Sequence, residues 1–210
     1  IEMKYPETKK EDIQDLIFGK YIDDPYRWLE DFTSKETTDW VDRQNKLTDA
    51  FLDNEYQRKI KEDLEDIWIT EDISIPFRRG DRTFYYYDNG KQQQSVFMMK
   101  DCNSCEAEVL LDPNQFSTDG TISLSDISVS PNGEYLAYAI SDGGSDWRTW
   151  KVFNIKEKSD TDDVIEWSKF SYATWESDSS GFYYQKYQQP DEALSDINKS
   201  PQLFFHRLGD

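Results

Sequence analysis

The chain has 210 residues, with 43 acidic against 24 basic and a formal net charge of -19. A surface of that sign repels phosphate backbones and excludes nucleic acid as a partner, and no apolar run approaches the roughly 18–20 residues a bilayer span needs, so no membrane partner is expected either. Hydrophobic residues make up 36% and aromatics 15%, which points to a folded protein whose buried surface is largely aromatic.

Residues 1–20 contain no apolar signal-peptide core. The first residue is Ile, so a removed leader stays open. The cytoplasm is the expected compartment, with a periplasmic or secreted protein as the alternative. Up to about residue 70 the pattern is helical. Asp24-Pro25 reads as an N-cap followed by proline at the first helical position, opening a short turn through Tyr26, Trp28 and Leu29. Thr33 and Glu36 have the spacing of a capping box. Behind them Trp40, Val41, Leu47, Phe51 and Leu52 recur near helical spacing, and Tyr56, Ile60, Leu64, Ile67 and Trp68 mark a second helix. These stripes read as core faces that need a further layer to pack on.

After about residue 70 the period changes from near 3.6 to 2. Thr83–Tyr87, Ser95–Met99, Glu108–Leu111, Tyr135–Ile140, Arg148–Phe153, Phe182–Tyr187 and Gln202–Arg207 read as strands, with no helix among them. A repeat runs through this half. A tight turn precedes an aromatic strand at Gly80, Gly133 and Gly181, spaced 53 and 48 residues apart. A period of about 40–50 residues with several short strands per unit marks propeller blades. Two to three blades do not close a ring, and the last repeat is one strand short, so the propeller is expected to continue past Asp210.

The sequence carries no complete catalytic set. Gly143-Gly144-Ser145-Asp146-Trp147 is the nearest approach to a nucleophile elbow. Trp147 stands where a small residue is required, and both flanks are strands, so a hairpin turn is the expectation. The sole histidine, His206, lies in a strand-like run and suits a strand surface better than a catalytic base. Cys102 and Cys105 lack the further ligands of a zinc knuckle. They read as a hairpin loop, with a labile disulfide as the alternative. No phosphate-binding loop, metalloprotease or dinucleotide fingerprint is present, and no cofactor is expected. Asn198-Lys199-Ser200 is a glycosylation sequon of a kind that arises often by chance.

The order of motifs resembles the N-terminal part of the prolyl oligopeptidase family. Tyr5-Pro6 is followed by Asp24-Pro25-Tyr26-Arg27-Trp28-Leu29-Glu30-Asp31 and Gln44-Asn45. Then come Leu111-Asp112-Pro113-Asn114, Gly144-Ser145-Asp146-Trp147, Lys169-Phe170-Ser171 and Phe205-His206-Arg207-Leu208-Gly209. The resemblance covers nearly the whole chain, and the first long block together with G-S-D-W is its most specific part.

The fold class this implies is mixed. Residues 1–70 would be the N-terminal helical segment of an α/β-hydrolase domain. Residues 71–210 would be a partial β-propeller, comprising blades 1 and 2 and most of blade 3 of seven. The implied activity is hydrolysis of short peptides on the C-terminal side of proline by a serine peptidase. Its Ser, Asp and His would lie beyond Asp210, and its propeller would exclude large substrates. The implied partners are a proline-containing peptide and the remainder of the hydrolase domain and propeller. Two substrate-binding residues carry over by position. Phe170 would line an apolar subsite for the residue upstream of proline, and Asp146 would meet a cationic partner at the propeller–hydrolase interface. Tyr172 departs from the small residue common after K-F-S and would reshape that pocket. Lys91 interrupts an otherwise familiar N-G-x-Q-x-Q-S-V turn. The rival readings are a non-enzymatic propeller module that binds peptides or proteins, and an oligopeptidase for basic residues.

Overall fold

The computed structural model describes residues 4–189 and 200–210. Asn198 and Lys199 of the sequon lie outside the described residues. Two compact units divide the chain, residues 1–67 and residues 68–210.

The first unit opens with a hairpin of β1 (Gln14–Ile17) and β2 (Lys20–Asp23) in antiparallel register. Phe18 and Gly19 turn it, both at positive φ. A 3-10 turn at Arg27–Glu30 follows, and Asp24 does not cap it. The Asp24 carboxylate instead accepts from the Arg27 side chain at 2.8 Å. Helix α1 (Lys35–Leu52) begins one residue later than the capping-box spacing suggests, with Ser34 as its N-cap. Asp31 explains the offset, because its carboxylate takes the Thr33 hydroxyl and the Thr33 and Ser34 amides. Ser34 Oγ is left to accept from the Thr37 amide at 3.2 Å. Trp28 and Trp40 meet edge to face at 6.4 Å. Helix α2 (Glu55–Trp68) carries the expected stripe, and it is exposed: Tyr56, Leu64, Ile67 and Trp68 each keep half or more of their surface.

The expectation of an α/β-hydrolase segment in residues 1–70 is therefore corrected. Among the described residues only two α-helices occur, and the hydrophobic clusters of buried residues lie in the second unit between strands. Helical periodicity gave the helices but does not name the layer they serve. The β1–β2 hairpin was hidden because Leu16, Ile17, Tyr21 and Ile22 do not alternate.

The second unit is sheet. The first group holds β3 (Asp72–Ile73) and β4 (Phe77–Arg79) beside β5 (Arg82–Asp88), then β6 (Val96–Lys100) and β7 (Glu108–Leu111). The second group is a four-stranded antiparallel meander of β8 (Ile122–Val129), β9 (Tyr135–Asp142), β10 (Arg148–Asn154) and β11 (Ser159–Ser168). The third holds β12 (Thr174–Trp175), β13 (Gly181–Lys186) and β14 (Gln202–Arg207). It joins the second through a single bridge, Ser168 to Lys186.

One aromatic core lies between the first two groups and includes Phe84, Phe97, Leu136 and Tyr138. The other lies between the second and third and includes Trp150, Phe182 and Tyr184. Alternate residues of adjacent strands supply both, as half-buried sheet faces require.

The repeated turns lie side by side. The Gly80 amide donates to Pro131 O at 3.1 Å, and the Asn132 amide donates to Ser179 Oγ at 3.2 Å. A Cβ on Gly133 would sit 2.5 Å from Arg79 O, so the turns approach backbone to backbone. Two of the motifs behind the family resemblance are interblade staples. Asn114 of L-D-P-N exchanges hydrogen bonds with the Gln94 backbone at 2.8 and 3.0 Å. The Gln94 side chain in turn bonds Ile122 O and the Leu124 amide on β8, at 2.9 and 3.1 Å.

Candidate functional site

Two loops of the second unit carry the residues singled out in the sequence. The first joins β9 to β10. The Gly143 amide donates to Thr121 O and the Ser145 amide to Asp142 O, at 3.2 and 2.9 Å. Gly143 and Gly144 both hold positive φ, 57° and 73°. Ser145 Oγ then accepts from the Trp147 amide at 3.1 Å. This local side-chain turn leaves Asp146 exposed at the tip and sets Trp147 against the neighbouring strands. G-S-D-W is thus a hairpin turn between strands, as expected, and not a nucleophile elbow.

The second loop leads from β11 to β12. Opposite Arg148–Trp150 the β11 side runs Ser168–Ile165, one residue more, which is a β-bulge. Trp167 lies in it at φ 61°. Bulges re-aim side chains, and Trp167 meets Trp147 edge to face at 5.6 Å. Tyr187 meets Trp147 in the same manner at 6.1 Å, while its amide donates to Trp167 O at 3.0 Å. Phe170 follows at φ 52°, also in the left-handed region, and stays 62% exposed. Strain of about 1–3 kcal/mol per such residue persists only where the surroundings fix it. Here Ser171 Oγ accepts from the Gln185 amide at 2.7 Å, and Ser171 O accepts from Arg148 Nη1 at 3.2 Å.

The two loops meet. Lys169 Nζ lies 4.5 Å from the centroid of the Trp147 ring and 5.8 Å from that of Phe170. The structure therefore brings the G-S-D-W and K-F-S segments to one rim. Beneath it opens a cavity of about 540 Å³, lined by Ile122, Ile140, Trp147, Arg148, Glu166 and Trp167 among others. Among the described residues its accessible wall is mostly apolar, with Arg148, Asp142 and Glu166 as its charged groups, a composition suited to holding a ligand by shape and a few polar contacts. Nearby, burial pushes the Asp126 carboxyl above its ordinary value, against the Ile127 amide and the Arg148 charge, which favour ionisation.

Among the described residues, nothing at this rim is a nucleophile paired with a base. His206 is buried rather than on a strand surface, with Nε2 2.7 Å from Asp163 Oδ1, and its ring lies tilted against Phe182. Asp163 also accepts from the Gly209 amide at 2.7 Å and from Thr161 Oγ1 at 2.6 Å. Burial would raise the Asp163 carboxyl, but these donors outweigh it and hold the group below its usual value. Asp163 and His206 pin the third strand group to the second. Cys102 and Cys105 form a disulfide in the loop between β6 and β7. Among the described residues no group of three or more His, Cys, Asp or Glu is placed to hold a metal, and no helix is long and apolar enough to cross a membrane.

The motifs name Phe170 and Asp146 by position along the chain; they do not foretell Trp147, Trp167, Lys169 and Arg148 as the side chains around them. Trp147 had drawn notice only as the residue that spoils an elbow motif. The bulge at Trp167 leaves no sequence signal beyond an aromatic out of phase in an acidic strand.

Comparison with known proteins fits this geometry. A family model for the prolyl oligopeptidase N-terminal beta-propeller domain matches residues 5–210. That match runs through the first 70 residues, which overturns their reading as part of an α/β-hydrolase domain. A prolyl endopeptidase of Elizabethkingia miricola is 41% identical over 99% of this chain and 30% of its own length. One of Dictyostelium discoideum is 28% identical over all of this chain and 35% of its own length. A solved prolyl endopeptidase structure, studied for inter-domain dynamics in catalysis and specificity, superposes with a TM-score of 0.86 at 30% identity, covering 99% of this chain and 31% of that one. Prolyl oligopeptidase B of Galerina marginata, bound to a 25-residue macrocyclization substrate, gives 0.80 at 27% identity, covering 99% and 32%. The chain spans about a third of the length of these relatives.

Proposed function

Because this chain belongs to the prolyl oligopeptidase family through its N-terminal β-propeller domain, we propose that it is the substrate-admitting part of a serine peptidase that cleaves short peptides after proline. Its relatives carry that activity in their names, as prolyl endopeptidases. The nucleophile, its base and the oxyanion donors of an acyl-enzyme mechanism would be supplied outside these 210 residues, and no cofactor takes part. The contribution of this chain is binding. Phe170 offers an apolar face to the residue upstream of proline. Asp146, at the tip of its hairpin, offers a carboxylate to a cationic group of the catalytic part. The propeller limits access to peptides that can thread to this rim.

The observation that carries the reading is the meeting of the two family motifs at one rim, with Lys169 Nζ 4.5 Å over the Trp147 ring. A strained, exposed aromatic beside an apolar cavity has no purpose in a closed core, and it suits a ligand contact. Two short peptides that differ only in proline or alanine at the cleavage position test it in the longer protein that carries this chain. Cleavage of the proline peptide alone, abolished by a serine-directed phosphonate, is expected. Cleavage after basic residues, or none, would refute it. Residues 1–210 expressed alone should cleave neither peptide.

A further inference from the structure

Lys169 is the group at this rim whose setting the proposed function leaves unexplained. Its side chain is half-buried, and its ammonium rests on two aromatic faces, 4.5 Å from the Trp147 centroid and 5.8 Å from that of Phe170. Ring faces hold a cation by their quadrupole and accept only weak N–H···π contacts, so its N–H donors stay open to a stronger acceptor. Among the described residues no carboxylate lies within ion-pair distance of it, so its ammonium is held by the rings alone. What sets Lys169 apart is its place: it is held over the Trp147 ring at the rim, and its neighbour in sequence is the exposed Phe170.

Resting on the peptidase reading above, we infer that Lys169 is a specificity-determining residue, favouring peptides with a carboxylate side chain next to the apolar residue seated on Phe170. The 5.8 Å between ammonium and ring matches a step of one to two residues in an extended peptide, at roughly 3.3–3.6 Å each. The preference is positional rather than general. Asp142, Asp146 and Glu166 belong to the strands and loop around the same rim and repel acidic peptides elsewhere along the path. Trp147 carries the ammonium over its ring, and its edge-to-face contacts with Trp167 and Tyr187 brace that support. The ammonium is therefore presented at one place instead of sweeping the surface.

The test uses the longer protein and three peptides of equal length, cleaved after the same proline. One carries Glu immediately before the apolar residue, one carries Gln there, and one carries the Glu two positions further from the proline. Exposed ion pairs of this kind change affinity about two- to fivefold, so kcat/KM for the first peptide should exceed that for the other two by that factor. The advantage should shrink as salt is raised. Lys169→Gln should erase the ratio, and Lys169→Arg should keep it. Equal kcat/KM for the three peptides in wild type, or an equal fall for all three in Lys169→Gln, overturns the inference while leaving the peptidase reading intact. Failure to cleave the Gln peptide at all would instead bring down the peptidase reading, and this inference with it.

Discussion

Removing the Phe170 ring is the perturbation whose size follows most directly from the structure. The side chain of a phenylalanine offers about 200 Å², and Phe170 keeps 62% of its surface exposed. Some ~120 Å² is thus available to a bound peptide. At about 25 cal/mol per Å² full coverage would be worth ~3 kcal/mol, and a peptide residue lying on one face would use about half. Phe170→Ala in the longer protein should therefore cost about 1.5 kcal/mol in transition-state binding, near tenfold in kcat/KM. The effect should be strongest with a bulky apolar residue immediately upstream of proline. With glycine there the loss should fall to about twofold. Alanine is the suitable replacement because it keeps the strained backbone at φ 52°, whereas glycine would also release it. The assay is kcat/KM for a Phe–Pro and a Gly–Pro substrate, alongside a melting curve. Equal losses on both substrates would refute the reasoning and make Phe170 a fold residue.

Gly133→Ala should destabilise the second unit by about 2–3 kcal/mol in denaturant unfolding, since its φ is +73° and the new Cβ would meet Arg79 O at 2.5 Å. Gly143→Ala, at φ +57° with no atom within 4 Å of its Cβ, should cost about 1 kcal/mol; similar costs for both would contradict the turn-to-turn packing. Asp146→Asn in the longer protein should leave melting unchanged but lower kcat/KM and flatten its salt dependence, while parallel salt curves of equal height would reduce Asp146 to a turn residue. The Asp163 carboxyl is held below its ordinary value in the folded protein, so its stabilisation is present above the unfolded-state value near 3.9 and is lost as pH falls through the lower folded value. Asp163→Asn should lower stability at neutral pH and flatten the acid limb below about pH 4, and an unchanged acid limb would show that the His206–Asp163 pin contributes nothing.

Much of this fold is legible in the sequence because its strands are aromatic and alternate. Thr83–Tyr87 and Glu108–Leu111 fall within observed strands almost to the residue. The strands that escaped have physical reasons for doing so. In β8, Ile122 and Leu124 share one parity and Ile127 and Val129 the other, because the register shifts between Leu124 and Asp126. In β11 the run Ser159–Asp163 is acidic and polar, although Asp163 itself is buried against His206. Strands β3, β4 and β12 are too short for any period to show.

The candidate site was half legible. The motifs marked Phe170 and Asp146 by position along the chain. Their convergence depends on a bulge that turns Trp167, on a lysine lying over Trp147, and on Arg148 reaching Ser171 O. All of these are contacts between segments separated along the chain, which local patterning does not encode. The helical stripe of α2 was read correctly as helix, yet its assignment to a hydrolase domain failed, because an apolar face does not state what it is built to meet.

In the proposed function a peptide lies against the rim formed by the Gly144–Trp147 hairpin and the Lys169–Ser171 loop. A short proline peptide carrying a photoreactive benzophenone on the residue upstream of proline tests it most directly, irradiated with the longer protein and followed by mass-spectrometric mapping of the attached fragments. Cross-links within residues 145–149 and 169–172, competed away by the unlabelled peptide and weakened in Phe170→Ala, are expected. Competed cross-links confined to other segments would contradict it.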